Sequence, residues 1–497
     1  MKLVLGYDIG SSSIKASLVD VSNGKCLIND YSPKTEMKIE SIKNGFAEQD
    51  VEEWWKHLKE VTKQLLHYLQ KNNIPITSIQ SIGISYQMHG IVLIDSKGNV
   101  LRKSIIWCDS RGVEYGKQAE EVIGKEFCQK HLLNLPGNFT ATKLYWIKEN
   151  EPEIFQSIYK VLLPGDYIAY RMTGKPYTTQ SGLSEGMLWD YEQKRISQEM
   201  LDWLGLREDQ FGEIVPTFGY QGELLEQQAK ELGLISGIPI TYRAGDQPNN
   251  AFSLGVLHPG EVASTAGTSG VVYGITDKQI QDSLSRINAF LHVNNSILSQ
   301  RIGMLLCING TGCLYSYLKK LFGIDYNEMN EEADKIPIGS DGLIILPFGN
   351  GSERMLENKS IGCSIEGLNF NIHSRNHIIR AAQEGIVCAF AYGIEQMRSM
   401  GMKIEKIKAG KSNLFKSELF VKTLAGITNT TIELYNTDGS IGAALASGVG
   451  CKLFQSPEDA ISSLEKISSI SIPIEDQIQY QRLYSEWKQV LLKKLNC

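Results

Sequence analysis

The chain has 497 residues, a net charge of −6 and 42% hydrophobic with 21% charged residues. Domains run about 50–250 residues, so this length excludes a single core and predicts two or three domains. The composition is that of an ordinary soluble globular protein, and an acidic balance with no basic run or tail argues mildly against nucleic acid as a partner.

The nine cysteines are scattered, with no Cys-x-x-Cys pair. That pattern excludes a disulfide framework and predicts a reducing, cytoplasmic location. The apolar run at residues 1–6 is too short for a signal peptide. No stretch reaches about 18 uninterrupted apolar residues, so no membrane span is expected.

In chain order, residues 3–7 alternate apolar and small side chains, Asp8-Ile9-Gly10-Ser11-Ser12-Ser13 forms a turn, and residues 14–20 resume the strand pattern. Ser22-Asn23-Gly24-Lys25 then turns into a third strand near 26–29. A serine-rich hairpin tip can aim N–H and hydroxyl groups at an anion, and it can equally be a plain surface turn. Asp8, at the strand end, has the chemistry to hold Mg2+ through water. The loop lacks the spacing of a P-loop.

Asp50 and Glu53 mark a helix start. Val51, Trp54, Trp55, Leu58, Val61, Leu65 and Tyr68 follow at helical spacing, a stripe read as core packing. Residues 81–85 read as a buried strand that ends in Gln87-Met88-His89-Gly90, and 91–95 as the next. Polar groups at strand ends are where open α/β sheets place ligands. Trp107-Cys108-Asp109-Ser110-Arg111 closes another short strand, and Asp109 and Arg111 are expected to pair with each other. Helical patterns dominate 112–240, with helix starts at Lys143-Leu144-Tyr145-Trp146-Ile147 and at Gly165-Asp166, and with an irregular polar loop at 181–190.

Tyr242-Arg243-Ala244-Gly245-Asp246-Gln247-Pro248 is a small-residue turn that presents one carboxylate, Asp246, beside the amide of Gln247. Asp246 is read as a general base. The pattern breaks near 245–258, and the second half opens as the first did, with a strand at 261–266, the turn Gly267-Thr268-Ser269-Gly270 and a strand at 271–274. This echo suggests a duplicated fold with a cleft between the halves.

Further on, Asn309-Gly310-Thr311-Gly312 precedes a helix near 313–322, residues 343–348 form an apolar run, and 380–400 is a long helix ended by Gly401. A strand at 404–408 leads to Ala409-Gly410-Lys411-Ser412. That tripeptide is no P-loop, because Glu405 stands where the first glycine is required. Residues 430–434 read as the last clear strand. Asp438-Gly439-Ser440-Ile441-Gly442-Ala443-Ala444 opens a small-residue helix, suited either to a flat ligand or to tight packing.

These pieces in this order resemble the FGGY carbohydrate kinases, within the actin-like, sugar-kinase and heat-shock ATPase superfamily, over nearly the whole chain. The first turn is similar to the family's first phosphate motif, and Gly267-Thr268-Ser269-Gly270 to its second. Gly245-Asp246-Gln247 is similar to the element that holds its catalytic base. Residues 140–150, with Lys143 and Trp146, resemble the N-terminal signature, departing at Asn138. Trp107-Cys108-Asp109-Ser110-Arg111 resembles a further family element, departing at Cys108 and Ser110. Lys408-Ala409-Gly410-Lys411-Ser412 keeps few of the glycines of the adenosine motif.

The resemblance implies an α/β fold of two ribonuclease-H-like domains, 1–250 and 251–497, with an ATP-binding cleft between them. It implies ATP and Mg2+ as cofactors. Phosphate and nucleotide contacts fall to Asp8, Gly10, Ser11, Ser12, Gly267, Thr268, Ser269, Gly310, Gly410, Lys411 and Ser412, with Asp8 also toward the metal. Gln87-Met88-His89 is most similar to the members that phosphorylate D-xylulose, which makes Gln87, Met88, His89, Asp246 and Gln247 the sugar contacts and the 5-hydroxyl the acceptor. The expected partners are a sugar and ATP, with no nucleic acid or membrane and with a homodimer left open. The alternatives are a kinase of L-xylulose, ribulose, fuculose or gluconate, and a non-catalytic nucleotide-dependent sugar sensor on the same fold.

Overall fold

The computed structural model describes residues 1–496. The chain folds into two compact units. Unit 1 comprises residues 1–257, 290–302 and 437–464, and unit 2 comprises 258–289, 303–436 and 465–497.

Unit 1 is built on a five-stranded sheet in the order Ile240–Gly245, Ile79–Tyr86, Leu3–Ile9, Ile14–Asp20, Cys26–Ser32. The first three strands are parallel and the last three antiparallel. A strand with both faces covered needs an unbroken apolar or small run, and residues 81–86 are buried without exception.

Helix Val51–Lys71 covers one face. Asp50 caps it, accepting from Glu52 N at 2.9 Å. Its stripe of Val51, Trp54, Trp55, Leu58, Val61 and Leu65 is fully buried in the core, as the packing reading expects. Helix Gly439–Gly450 covers the other face, capped by Asp438, whose Oδ1 accepts from Ser440 N and Ile441 N. Here the small residues serve tight packing. A Cβ on Gly6 would lie 2.0 Å from Ser440 O, and one on Gly83 would lie 2.0 Å from Ala443 O. The helix backbone therefore rests directly on two strand backbones. A linear division at residue 250 does not foresee this return of residues 437–464 to unit 1.

Residues expected to form an irregular loop instead open with helix Gln180–Glu185 and close with strand Trp189–Asp190. The helix forms because Thr179 Oγ1 accepts from Gly182 N at 3.1 Å, satisfying a first-turn donor. Met187, at φ +62°, ends it.

In unit 2, Glu261–Ala266 pairs antiparallel with Gly270–Thr276 and parallel with Lys406–Gly410. Lys406–Gly410 pairs parallel with Thr431–Tyr435, and that strand antiparallel with Lys466–Ile470. Strand–turn–strand with a parallel neighbour thus occurs in each unit, as the sequence echo predicts. Lys466–Ile470 escaped the sequence reading because it is a mostly exposed edge strand with little apolar signal. Helix Arg375–Ser399 begins five residues earlier than its apolar pattern, at the N-cap Ser374. Among the described residues no helix is long and apolar enough to cross a membrane.

Candidate active site

The three parallel strands of unit 1 end in register, Ile9 opposite Tyr86 and Gly245 opposite Tyr86. Their carboxyl ends deliver Asp8, Gln87-Met88-His89 and Asp246-Gln247 to one rim of the sheet, the rim where such sheets hold ligands. The sequence-predicted residues of this half are therefore neighbours in space, although they come from three distant segments.

Asp246 is the first residue of helix Asp246–Ser253. Burial pushes its carboxyl up to about 7, the Asp8 carboxylate adds to the rise, and hydrogen bonds from Gln247 oppose it. A carboxylate with that proton affinity suits proton abstraction near neutral pH. Gly245 permits the close packing around it, since a Cβ there would lie 2.3 Å from Glu185 Oε2 and 2.6 Å from Met88 Cγ. Glu185 is itself buried, and its carboxyl is held far above the usual range by burial, by Asp246 and by Asp166.

Asp8 accepts from Ser85 Oγ at 2.8 Å and faces Lys15 across the hairpin ladder. Burial raises its carboxyl, Lys15 and Ser85 oppose that, and Asp438 adds to it. Lys15 in turn is raised by Asp8, Asp438 and Asp246. One ammonium thus sits among three carboxylates, and the sequence reading named neither Lys15 nor Asp438 as part of the site. The signal for Lys15 was the hairpin register, which pairs residues 8 and 15. A Cβ on Gly439 would lie 2.7 Å from Asp8 Oδ2, so Asp8 sits against the start of the Gly439–Gly450 helix.

In the serine turn, Gly10 N donates to Ser13 O. Ser11 Oγ accepts from Trp107 Nε1 at 3.1 Å, and Ser11 O accepts from Gln49 Nε2 at 2.7 Å. Ser12 is exposed. Gln87 is buried, its amide donates to Gln49 Oε1 at 3.4 Å, and its own Oε1 has no hydrogen-bond partner.

His89 adopts φ +60°, a left-handed conformation that costs a non-glycine residue roughly 1–2 kcal/mol. Its Nδ1 lies 3.0 Å from Glu185 O. A carbonyl only accepts, so Nδ1 carries a proton and donates this bond. Phe139 and Phe290 pack against the ring at 5.1 and 5.5 Å. Asp109 and Arg111 pair in a buried fork, with Nη2 to Oδ2 at 2.7 Å, as the sequence predicts.

In unit 2 a cavity of about 600 Å3 opens beside the Gly267–Ser269 turn, within the range of small-molecule sites. Gly267, Thr268 and Gly312 line it, as do Tyr315, Lys319, Tyr326, Asn330 and Asn413. Tyr315 and Tyr326 stack at 5.7 Å, and Tyr315 Oη donates to Asn330 Oδ1 at 2.7 Å. Of the predicted nucleotide contacts here, Gly267 and Thr268 line the cavity, whereas Ser269, Gly310, Gly410, Lys411 and Ser412 are not among its lining residues. Gly310 instead packs so tightly that a Cβ would lie 1.9 Å from Pro347 O. Sequence reasoning missed the two tyrosines and Asn330, whose helical spacing reads as packing.

Fold and site define a two-domain α/β sugar-kinase architecture. The model of the FGGY family of carbohydrate kinases matches at residues 3–253 with its N-terminal domain and at 262–451 with its C-terminal domain. The chain belongs to that family and is a carbohydrate kinase. It is 28% identical to a xylulose kinase of Bacillus subtilis, over 99% of this chain and 97% of that one. It is also 28% identical to a xylulose kinase of Escherichia coli, over 93% and 92%. Among solved structures it is similar in fold to a xyloylose kinase from Brucella ovis, with a TM-score of 0.89 at 24% identity and 99% of both chains covered. It is likewise similar to a Plasmodium falciparum glycerol kinase with ADP, with a TM-score of 0.89 at 21% identity, over 100% of this chain and 98% of that one.

Proposed function

We propose that the chain transfers a phosphoryl group from ATP to the 5-hydroxyl of a ketopentose, D-xylulose above other sugars, with Asp246 as the general base. The observation that carries this reading is the Asp246 carboxyl raised to about 7 at the same strand-end rim as Met88 and His89. The 28% identity to xylulose kinases over nearly the full length supports the choice of sugar.

An alcohol is a poor nucleophile until its proton leaves, and a positioned carboxylate taking that proton contributes about 10²–10⁴-fold. The His89 ring hydrogen-bonds a sugar hydroxyl through Nε2, Met88 packs on the carbon skeleton, and Gln87 Oε1 and Gln247 take further hydroxyls. The tyrosine-lined cavity of unit 2 takes the nucleoside, and Gly267 and Thr268 lie toward its phosphates. Ser11 and Ser12 offer further phosphate contacts.

Among the described residues no cluster of three or more metal-ligating side chains occurs. Mg2+ needs none, because it is held by one or two carboxylates together with substrate phosphates and water. Asp8, oriented by Ser85, is the carboxylate that fits. The bound metal would supply neutralisation of phosphate charge. We assign the work to the cytoplasm, where ATP is available and thiols stay reduced.

Asp246→Asn is the test. Its kcat should fall at least about 100-fold while nucleotide binding, measured by calorimetry, stays near that of the wild type. Near-normal turnover would remove Asp246 from the chemistry.

A further inference from the structure

His89 holds a backbone conformation that its own residue type disfavours, and two groups fix it there from opposite ends. Lys143, on helix Thr140–Asn150, is fully buried, and its Nζ donates to His89 O at 2.8 Å and to Ile106 O at 3.1 Å. At the other end, the Glu185 carbonyl accepts from His89 Nδ1 at 3.0 Å.

We propose that Lys143 is a positioning residue for the acceptor sugar: its ammonium holds the His89 carbonyl so that the imidazole, oriented by the Glu185 main chain, presents Nε2 to a hydroxyl. An ammonium gives a shorter and stronger bond to a carbonyl than a neutral donor does. Burying one is costly unless it is well partnered, and here burial pulls Lys143 down to about 7, with Asp109 opposing. Surface solubility and helix propensity give no reason for a lysine at this position. Bridging two main-chain carbonyls from separate segments, His89 O and Ile106 O, does give one. Phe139 lies one residue before the same helix and packs edge-on to the His89 ring, so the helix that carries Lys143 also shapes the ring's other side.

The inference rests on the reading of His89 as a sugar contact, and a double-variant cycle separates the two. Steady-state kinetics with D-xylulose and ATP are measured on the wild type, Lys143→Met, His89→Ala and the double variant. The sugar KM should rise about tenfold in Lys143→Met with the ATP KM unchanged, and Lys143→Met should add nothing once His89 is gone. A Lys143→Met effect of equal size in both backgrounds, or equal rises in both KM values, would overturn the clamp. An unchanged sugar KM in His89→Ala would instead overturn the sugar-site reading and the clamp with it. Should Lys143→Met fail to fold, Lys143→Gln takes its place in the cycle, and a crystal structure of the wild-type sugar complex reads the clamp directly. Lys143 Nζ within hydrogen-bond reach of His89 O, with φ still positive, supports it. A displaced ammonium overturns it.

Discussion

At the scale of single residues, the proposed chemistry turns on protonation. Asp246 must be ionised to accept a proton, and its carboxyl is raised from 3.8 to about 7 by burial and by Asp8. The sign follows: a base is active above its pKa, so kcat/KM for the sugar should rise with pH through about 7 and level off above it. A pH profile of wild-type kcat/KM, flat from pH 5 to 8, would contradict this. The place of Asp246 at the strand-end rim was legible, because a strand pattern runs directly into its small-residue turn. Glu185 was not legible, and Asp438 was legible only as the start of a small-residue helix, because each reaches the rim from a remote segment. Lys15 was half-legible, since a seven-residue offset in a hairpin places it opposite Asp8.

At the scale of elements, the site depends on how closely one helix lies on the sheet that carries it. Gly6 and Gly83 meet the backbone of helix Gly439–Gly450 with no room for a methyl group. Gly83→Ala, on the strand that ends in Gln87-Met88-His89, should therefore destabilise the protein by about 1–3 kcal/mol, as overpacking does. Urea unfolding monitored by tryptophan fluorescence measures it, and an unchanged midpoint would show that the helix can move aside at little cost. The strands and the two hairpins were readable from apolar alternation and glycine-hydroxyl turns. Which reading of the 438–444 run was right was not, because the partner glycines lie more than 350 residues earlier in the chain. Helix Gln180–Glu185 was missed for the opposite reason: its cap is local, but its residues are too few and too polar for a period to show.

At the scale of the whole molecule, each unit pairs a hairpin turn with parallel strands, and the two matched family-model domains cover residues 3–253 and 262–451. Sequence order suggested two halves. The structure adds the return of residues 437–464 to unit 1, which only the fold can reveal. The activity belongs to this scale, since it requires an acceptor and a nucleotide together. The most direct test is sugar-dependent ADP release by the purified wild-type protein across D-xylulose, L-xylulose, ribulose, fuculose, gluconate and glycerol. D-xylulose should give the highest kcat/KM, and ADP release without sugar should be negligible. A higher kcat/KM for another acceptor, or ADP release indifferent to sugar, would contradict it.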